Sequence, residues 1–334
     1  MRGMLILIVV AALAWSVYWA VGSTGATKAF EAWFEGRRAD GWVAEYSDLT
    51  TRGFPNRFDT TFTDVSLADP DTGLAWEAPF FQLFALSYKP NHIIAVWPDH
   101  QLVATPRAKY DVTSTDMRAS LVTRAAPGLP LDRLTLTAEN LAIQPDTTVQ
   151  PTTADSLTLA AERSTAADSS YRLGLNADGF TPALDWRVKV DPGDTLPDSL
   201  EALSVDMTVA FDKPWDLSAI EDARPQPRRI ELKLAEARWG RLELQAAGEV
   251  TVDAAGIPTG EITVKARNWR DILRLAVDSG ALPQGFAGTL EDGLALVSQM
   301  AGNPKTLDIP LGLRDGRVLL GPVPLGPAPV LRLR

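Results

Sequence analysis

The stretch WEAPFFQLFALSYKPNHIIAVWPDHQ, Trp76 to Gln101, holds both histidines of the chain, His92 and His100. Together with Asp99 and Asp111 they are the residues best suited by type to metal ligation or acid–base work. Imidazole and carboxylate both bind divalent metals and exchange protons near neutral pH. Their spacing argues against a shared site. His92 and His100 flank IIAVW, and an extended segment of that length holds the two rings roughly 25 Å apart. Each also follows a turn signal, Pro90-Asn91 and Pro98-Asp99, so the expectation is that each serves its own turn. Asp69-Pro70-Asp71-Thr72-Gly73 opens like a calcium loop but lacks the later acidic ligands, and reads as a hairpin turn. Asp191, Asp194 and Asp198 read as solvated turn carboxylates, and Arg224, Arg228 and Arg229 as a solvated basic loop. No nucleophile elbow, phosphate loop, dinucleotide fingerprint, zincin motif or EF-hand is present. The expectation is a non-enzymatic protein with no metal and no cofactor.

Composition narrows the class further. The 334 residues are 46% hydrophobic and include ten tryptophans and eleven phenylalanines, enough to pack an interior. A net charge of −10 repels phosphate backbones, so nucleic acid is not an expected partner. With no cysteine, disulfides, thiolate chemistry and iron–sulfur clusters drop out together.

The elements that would position any site begin with MLILIVVAALAWSVYWAV, Met4 to Val21, which carries no charge. As a helix it spans about 27 Å, close to a hydrocarbon core. Trp15, Tyr18 and Trp19 at its far end are rings of the kind found at headgroup level. An uncleaved anchor is the expectation; the competing reading is a secretory signal cut near Thr24-Gly25-Ala26. Either way the rest of the chain is expected to be exported; the anchor reading makes it a single-pass protein of the inner membrane with its bulk in the periplasm. Behind the anchor, residues 23–40 form a second, amphipathic helix. Phe30, Trp33 and Phe34 fall on one side of it and are expected to dock on the β-rich domain behind it.

From Trp42 the hydrophobic period changes to two. In RFDTTFTDVSLADPDTGLAW, Phe58, Thr60 and Phe62 alternate with Asp59, Thr61 and Thr63 before the turn at Asp69 to Gly73. Strand patterns recur at Leu102, Lys109, Arg118, Arg133, Ser156 and Ser170. The plainest is RIELKLAEARWGRLELQAAGEVTVDAAGIPTGEITVKA, an antiparallel meander with one apolar and one polar face. Two amphipathic helices come next, one from an N-cap at Asn268 to Gly280 and one from Thr289 to Gly302. The fold class expected is mainly β: a large antiparallel sheet, curved or folded over, with an N-terminal transmembrane helix and two C-terminal amphipathic helices. The organisation expected is anchor 1–22, juxtamembrane helix 23–40, a first β-rich part 41–227, and a meander with helices 228–334. Strand-rich halves before and after about Ala126 leave an old duplication open.

Three stretches carry a family resemblance: RGFPNRFDTTF, the Trp76–Gln101 segment, and GLRDGRVLLGPVPLGPAP near the C-terminus. They resemble an uncharacterised alphaproteobacterial family known as domain of unknown function 2125, with the similarity running from about Phe30 to the end. That resemblance implies an anchored, β-rich envelope protein and brings no catalytic residue. The layout GEVTVDAAGIPTGEITVKARNWRDILRLAVDSGAL is similar, at the level of pattern, to segments of AsmA-like envelope proteins thought to handle lipids in long β grooves.

The function expected is an anchored envelope protein whose apolar sheet face binds lipid or another amphiphile. The lining expected in the first part is Phe81, Phe84, Leu86, Ile94, Val96 and Trp97. In the meander it is Leu232, Leu244, Val252 and Val264. The alternatives are a scaffold or assembly partner with a closed β core and, third, a periplasmic hydrolase.

Overall fold

The computed structural model describes residues 1–165, 167, 169–221, 223–280, 285, 288, 291–295, 306–321 and 323–333. Its chain divides into two compact units, Met1–Ala125 with Leu136–Thr147, and Ala126–Thr135 with Thr148–Arg334. The described strands are eighteen in number and pair antiparallel throughout, which makes the protein mainly β. The strands before and after 227/228 pair along their length inside the second unit.

In the first unit the anchor and the amphipathic stretch are one helix, α1, Arg2–Ala39. The sequence suggests a boundary near Gly22, but nothing there breaks the backbone ladder. The junction has no proline, and Ser23 and Thr27 donate their hydroxyls to the carbonyls of Ala20 and Ser23. Gly22 is instead a point of close approach, since a Cβ there would lie 2.5 Å from Cζ of Phe58. The apolar part of α1 is exposed and, by length and a mean hydropathy of 2.4 over 18 residues, able to cross a membrane.

The later turns of α1 dock as the spacing of their aromatics requires. Phe34 is buried with Ala44, Phe62 and Val65, and Phe30 and Trp33 pack on that cluster. Phe30 meets the Phe62 ring edge-on at 5.2 Å, and Phe34 meets Tyr46 at 4.8 Å. Edge-to-face contacts of this kind add to the burial of the rings themselves. The strands beneath are β1 (Val43–Glu45), β2 (Asp48–Arg52), β3 (Arg57–Asp69), β4 (Leu74–Leu86), β5 (Lys89–Trp97), β6 (His100–Ala104), β7 (Lys109–Thr113) and β8 (Asp116–Thr123). Strand β9 (Leu131–Pro145) contributes residues to both units. The β3 alternation holds: Thr60 and Phe62 are buried, and Asp69 closes the following turn by accepting from the Asp71 amide and the Thr72 hydroxyl. One detail differs from the sequence expectation. The β4–β5 hairpin turns at Ser87-Tyr88, and Lys89-Pro90-Asn91 opens β5, where a proline without an amide is tolerated at a strand start.

The second unit is built on β10 (Thr152–Arg163), β11 (Ser170–Asp178), β12 (Ala202–Phe211), β13 (Pro227–Trp239), β14 (Leu242–Val252), β15 (Pro258–Arg267), β16 (Thr306–Arg314), β17 (Arg317–Leu320) and β18 (Val323–Pro327). Consecutive strands pair antiparallel from β10 to β18. Short helix α2 (Leu184–Val190) follows β11, and α3 (Ser218–Glu221) lies in the proline-rich and acid-rich connection from Asp212 to Pro227, whose composition reads as a long loop. Helix α4 (Trp269–Asp278) is the first of the two expected after the meander. Asn268 does not cap it through its side chain: the residue is left-handed at φ +57°, and its amide reaches back to the Arg241 carbonyl. Of the helix expected from Thr289 to Gly302, residues 291–295 are helical and the remainder lies outside the described residues.

Candidate functional site: an apolar face with a cavity at its end

The register of the second unit decides which side chains share a face, because successive residues of a strand point to opposite sides and directly paired residues to the same side. Tyr171 pairs with Val209, Val209 with Ile230, and Ile230 with Val250. One rung along, Leu173 pairs with Met207 and Met207 with Leu232. Further on, Leu159 pairs with Leu175 and Leu175 with Val205. Toward the C-terminus Ala246 pairs with Val264 and Val264 with Ile309. Each of these rungs is apolar across several strands. The intervening rungs are polar: Arg172 with Thr208, Glu231 with Glu249, Glu249 with Glu261, and Lys265 with Asp308. From β10 to β16 the unit therefore has one apolar and one charged face.

The apolar face is covered at its ends and half-buried between them. At one end Trp269 is buried with Ala266 and Leu307, and Ile272 and Leu273 of α4 pack on them. At the other, Tyr171, Val209 and Phe211 form a buried cluster that receives Trp215 from the β12–β13 connection. The Tyr171 hydroxyl anchors that connection by donating to the Leu131 carbonyl at 3.3 Å and accepting the Trp215 amide at 3.2 Å. Between the ends Leu173, Leu175, Val205, Val264 and Ile309 are half-buried, and Leu159 on the first strand of the unit keeps 37% of its surface exposed.

A cavity of about 590 Å³ opens beside the Tyr171 cluster. That volume is within the range of small-molecule pockets, ~300–1,000 Å³. Leu173, Met207, Phe211 and Ile230 form part of its wall, and residues Val330 to Leu333 close one side. The C-terminal segment is held there by backbone bonding: the Leu331 amide donates to the Gly256 carbonyl at 2.8 Å, and Leu333 exchanges two hydrogen bonds with the Gln226 side chain. Gly256 lies at φ +84°, and a Cβ there would come within 3.0 Å of Val330, so the strap needs a glycine beneath it. Arg332 is the one charged residue among those lining the cavity.

The charged face is laced with cross-strand pairs, Arg172 with Asp206, Arg229 with Glu249 and Arg267 with Glu243. The first is two-pronged, at 2.9 and 2.7 Å. The hydrogen bond from Arg172 holds the Asp206 carboxyl below its ordinary range, with the charges of Arg172 and Lys233 adding to the effect and partial burial opposing it. A carboxyl whose folded value is depressed adds stability above its unfolded value, and loses that contribution as pH falls through the folded one. Asp206→Asn is therefore expected to lower stability slightly at neutral pH, the pair being solvent-exposed. The difference from the parent should close as pH drops below the usual carboxylate value of ~3.9. Urea midpoints measured across pH check this, and a gap that widens in acid would refute it.

The residues expected from sequence to line a lipid site fall in three groups. Leu232, Leu244, Val252 and Val264 do share the apolar face of the second unit, since Leu232 pairs with Gly248 and Val264 with Ala246 on the inward side of β14. None of these four borders the cavity. In the first unit the six candidates divide between two faces. Phe81 and Trp97 meet at 5.2 Å on the face carrying Phe62. Phe84 and Ile94 pair on the opposite side, and Val96 joins them two residues along, opposite Gln82. Leu86 sits past a bulge, opposite Lys89. The cavity residues on β11 and β12 were missed, although the alternation of Tyr171, Leu173, Leu175 and of Val205, Met207, Val209 carries the same period-two signal as the meander.

The histidines do not converge. His92 lies 2.9 Å from the Ser120 hydroxyl on β8, whereas His100 stands 2.9 Å from Asp111 on β7, both partners of that contact being exposed. Among the described residues no three of His, Asp or Glu are grouped to hold a metal ion.

No curated protein and no solved structure matches the chain. A family model does, over residues 19–329, from the last apolar turns of α1 through both units to the end of β18. With that match covering nearly the whole chain, the protein belongs to the family of uncharacterized proteins conserved in bacteria, DUF2125.

Proposed function

We propose that this is a non-enzymatic envelope protein, held in the inner membrane by α1 with both units in the periplasm, which carries a lipid or similar amphiphile on the apolar face of its second unit. The observation that carries the reading is that face: apolar rungs run from β10 to β16, stay partly exposed between its ends, and end in a cavity of about 590 Å³. An apolar surface of this extent is unfavourable in water and calls for a cover. An acyl chain lying on the rungs, with its head beside Arg332, supplies one. The similarity of the meander to AsmA-like segments points the same way.

Retention of α1 is supported by what its far end holds. The indoles of Trp15 and Trp19 donate to the carbonyls of Pro55 and Arg57, and the Tyr18 hydroxyl donates to Ser87. Cleavage near Ala26 would strip all three carbonyls of those partners. Two measurements test the proposal on membrane-purified protein. Native mass spectrometry with lipid extraction should find an amphiphile at about one per chain; protein that repeatedly carries none and binds none favours the scaffold reading instead. The mature N-terminus should lie at or beside Met1, and a chain beginning after Ala26 would end the anchor reading.

A further inference from the structure

The first unit has a second surface with an unusual combination of properties, at the loop ends beside the helix. Phe54, between β2 and β3, and Tyr88, at the β4–β5 turn, are 57% and 64% exposed. They belong to the two turns whose carbonyls receive Trp15, Tyr18 and Trp19. Those three residues lie two to six positions before Val21, the last residue of the apolar run, so at ~1.5 Å per residue the turns are level with its final ~3–9 Å. A turn at that depth meets the boundary between headgroups and acyl chains, where unpaired backbone polar groups are costly.

The turns are built for that environment. The Gly53 carbonyl accepts the Arg57 amide, the Asn56 carbonyl accepts the Ser87 amide, and the carbonyls of Pro55, Arg57 and Ser87 accept side chains of α1. Pro55 has no amide to satisfy. The outward groups are an aromatic pair flanked by the exposed cations Arg52 and Lys89, with Arg57 paired to Asp59 at 2.6 Å. Aromatic rings with adjoining Lys and Arg are the side chains that settle at a bilayer interface.

We infer that the Phe54 and Tyr88 turns insert into the outer interface of the same bilayer that α1 crosses, so that the first unit is seated on the lipid surface at these turns in addition to being tethered by the helix. The inference rests on the anchor reading, and the test separates the two. The chain contains no cysteine, so single-cysteine variants carry one environment-sensitive fluorophore each without further engineering. The full-length variants Phe54→Cys, Tyr88→Cys, Leu7→Cys and Asp71→Cys would be reconstituted in phosphatidylcholine vesicles containing phosphatidylglycerol, doped with nitroxide lipids labelled near the headgroup or near the chain end. Asp71 serves as a reference at the far end of β3, thirteen residues or ~43 Å along the strand from the inserted turn.

Labels at 54 and 88 are expected to shift to the blue and lose most of their emission to the shallow nitroxide, label 7 to lose its emission to the deep one, and label 71 to keep its emission. If label 7 is quenched while 54 and 88 behave like 71, the helix is inserted and the seating is wrong. If label 7 is not quenched, the anchor reading fails and the seating falls with it. Two turn positions are used because Phe54 also contacts the Trp19 ring at 5.4 Å, whereas Tyr88 provides an independent readout.

Discussion

Ala161→Trp is expected to weaken the binding of amphiphile about tenfold or more while leaving the fold in place. Ala161 borders the cavity of the second unit and pairs with Leu173 on the apolar face. An indole there occupies space that now stands open instead of displacing a packed neighbour, so the usual overpacking cost of about 1–3 kcal/mol is avoided or reduced. The ligand bears the loss. Each methylene kept out of apolar contact forfeits about 0.8 kcal/mol, so exclusion of even two costs ~1.6 kcal/mol and weakens binding about tenfold. Leu159→Glu is the companion variant. It places a carboxylate on a partly exposed position of the same face, where a bound chain would desolvate it without a partner. The readouts are lipid recovered per chain and affinity for a fluorescent fatty acid, with circular dichroism confirming the fold. Unchanged lipid content in both variants would mean that the amphiphile, if present, lies elsewhere.

The second large effect concerns the far half of α1. Phe34→Ala is expected to destabilise the first unit by about 3–5 kcal/mol, the usual result of emptying a buried phenylalanine site. Phe34 is 3% exposed and touches Tyr46 and Phe62 edge-on or tilted, so its loss leaves a hole in the middle of the cluster. The same packing predicts how the chain tolerates truncation. A chain starting at Ser23 keeps Phe30, Trp33 and Phe34 and should fold, whereas one starting at Trp42 exposes Phe62, Val65 and Phe81 and should aggregate or melt far lower. Urea unfolding of Phe34→Ala and thermal melts of the two truncations measure this. Equal melting temperatures for both truncations would show that the helix adds nothing beyond its membrane span.

Helix α1 marks where local pattern stops being informative. An uncharged run followed by an aromatic stripe at helical spacing is visible in the sequence, as is the docking implied by the stripe. The use of Gly22 is not visible, because it is Phe58, approaching from a strand later in the chain, that leaves no room for a side chain there. Likewise Trp15, Tyr18 and Trp19 carry a membrane-interface signature as sequence, but which carbonyls they reach depends on how the β2–β3 and β4–β5 turns fold back.

The candidate site divides in the same way. Alternation in RIELKLAEARWGRLELQ places Leu232 and Leu244 on one face without any structure, because side-chain direction in a strand is a local property of period two. The β4–β5 candidates went astray for a related reason: a set chosen by apolarity alone mixes odd and even positions, and the register sends Phe81 and Trp97 to one side and Phe84 and Ile94 to the other.

By itself the sequence determined an apolar helix long enough to cross a membrane, a mainly β chain, which residues of the meander strands share a face, and the lack of cysteine chemistry. All of these derive from composition and from short-range periodicity. Only the tertiary structure decided which strands are neighbours, that apolar rungs align across β10 to β16, that α4 covers one end, and that a cavity lies at the other beside Trp215 and the C-terminal strap. Those outcomes join residues as far apart as Gln226 and Leu333. They depend on the register of many strands at once, and no window of local pattern contains that information.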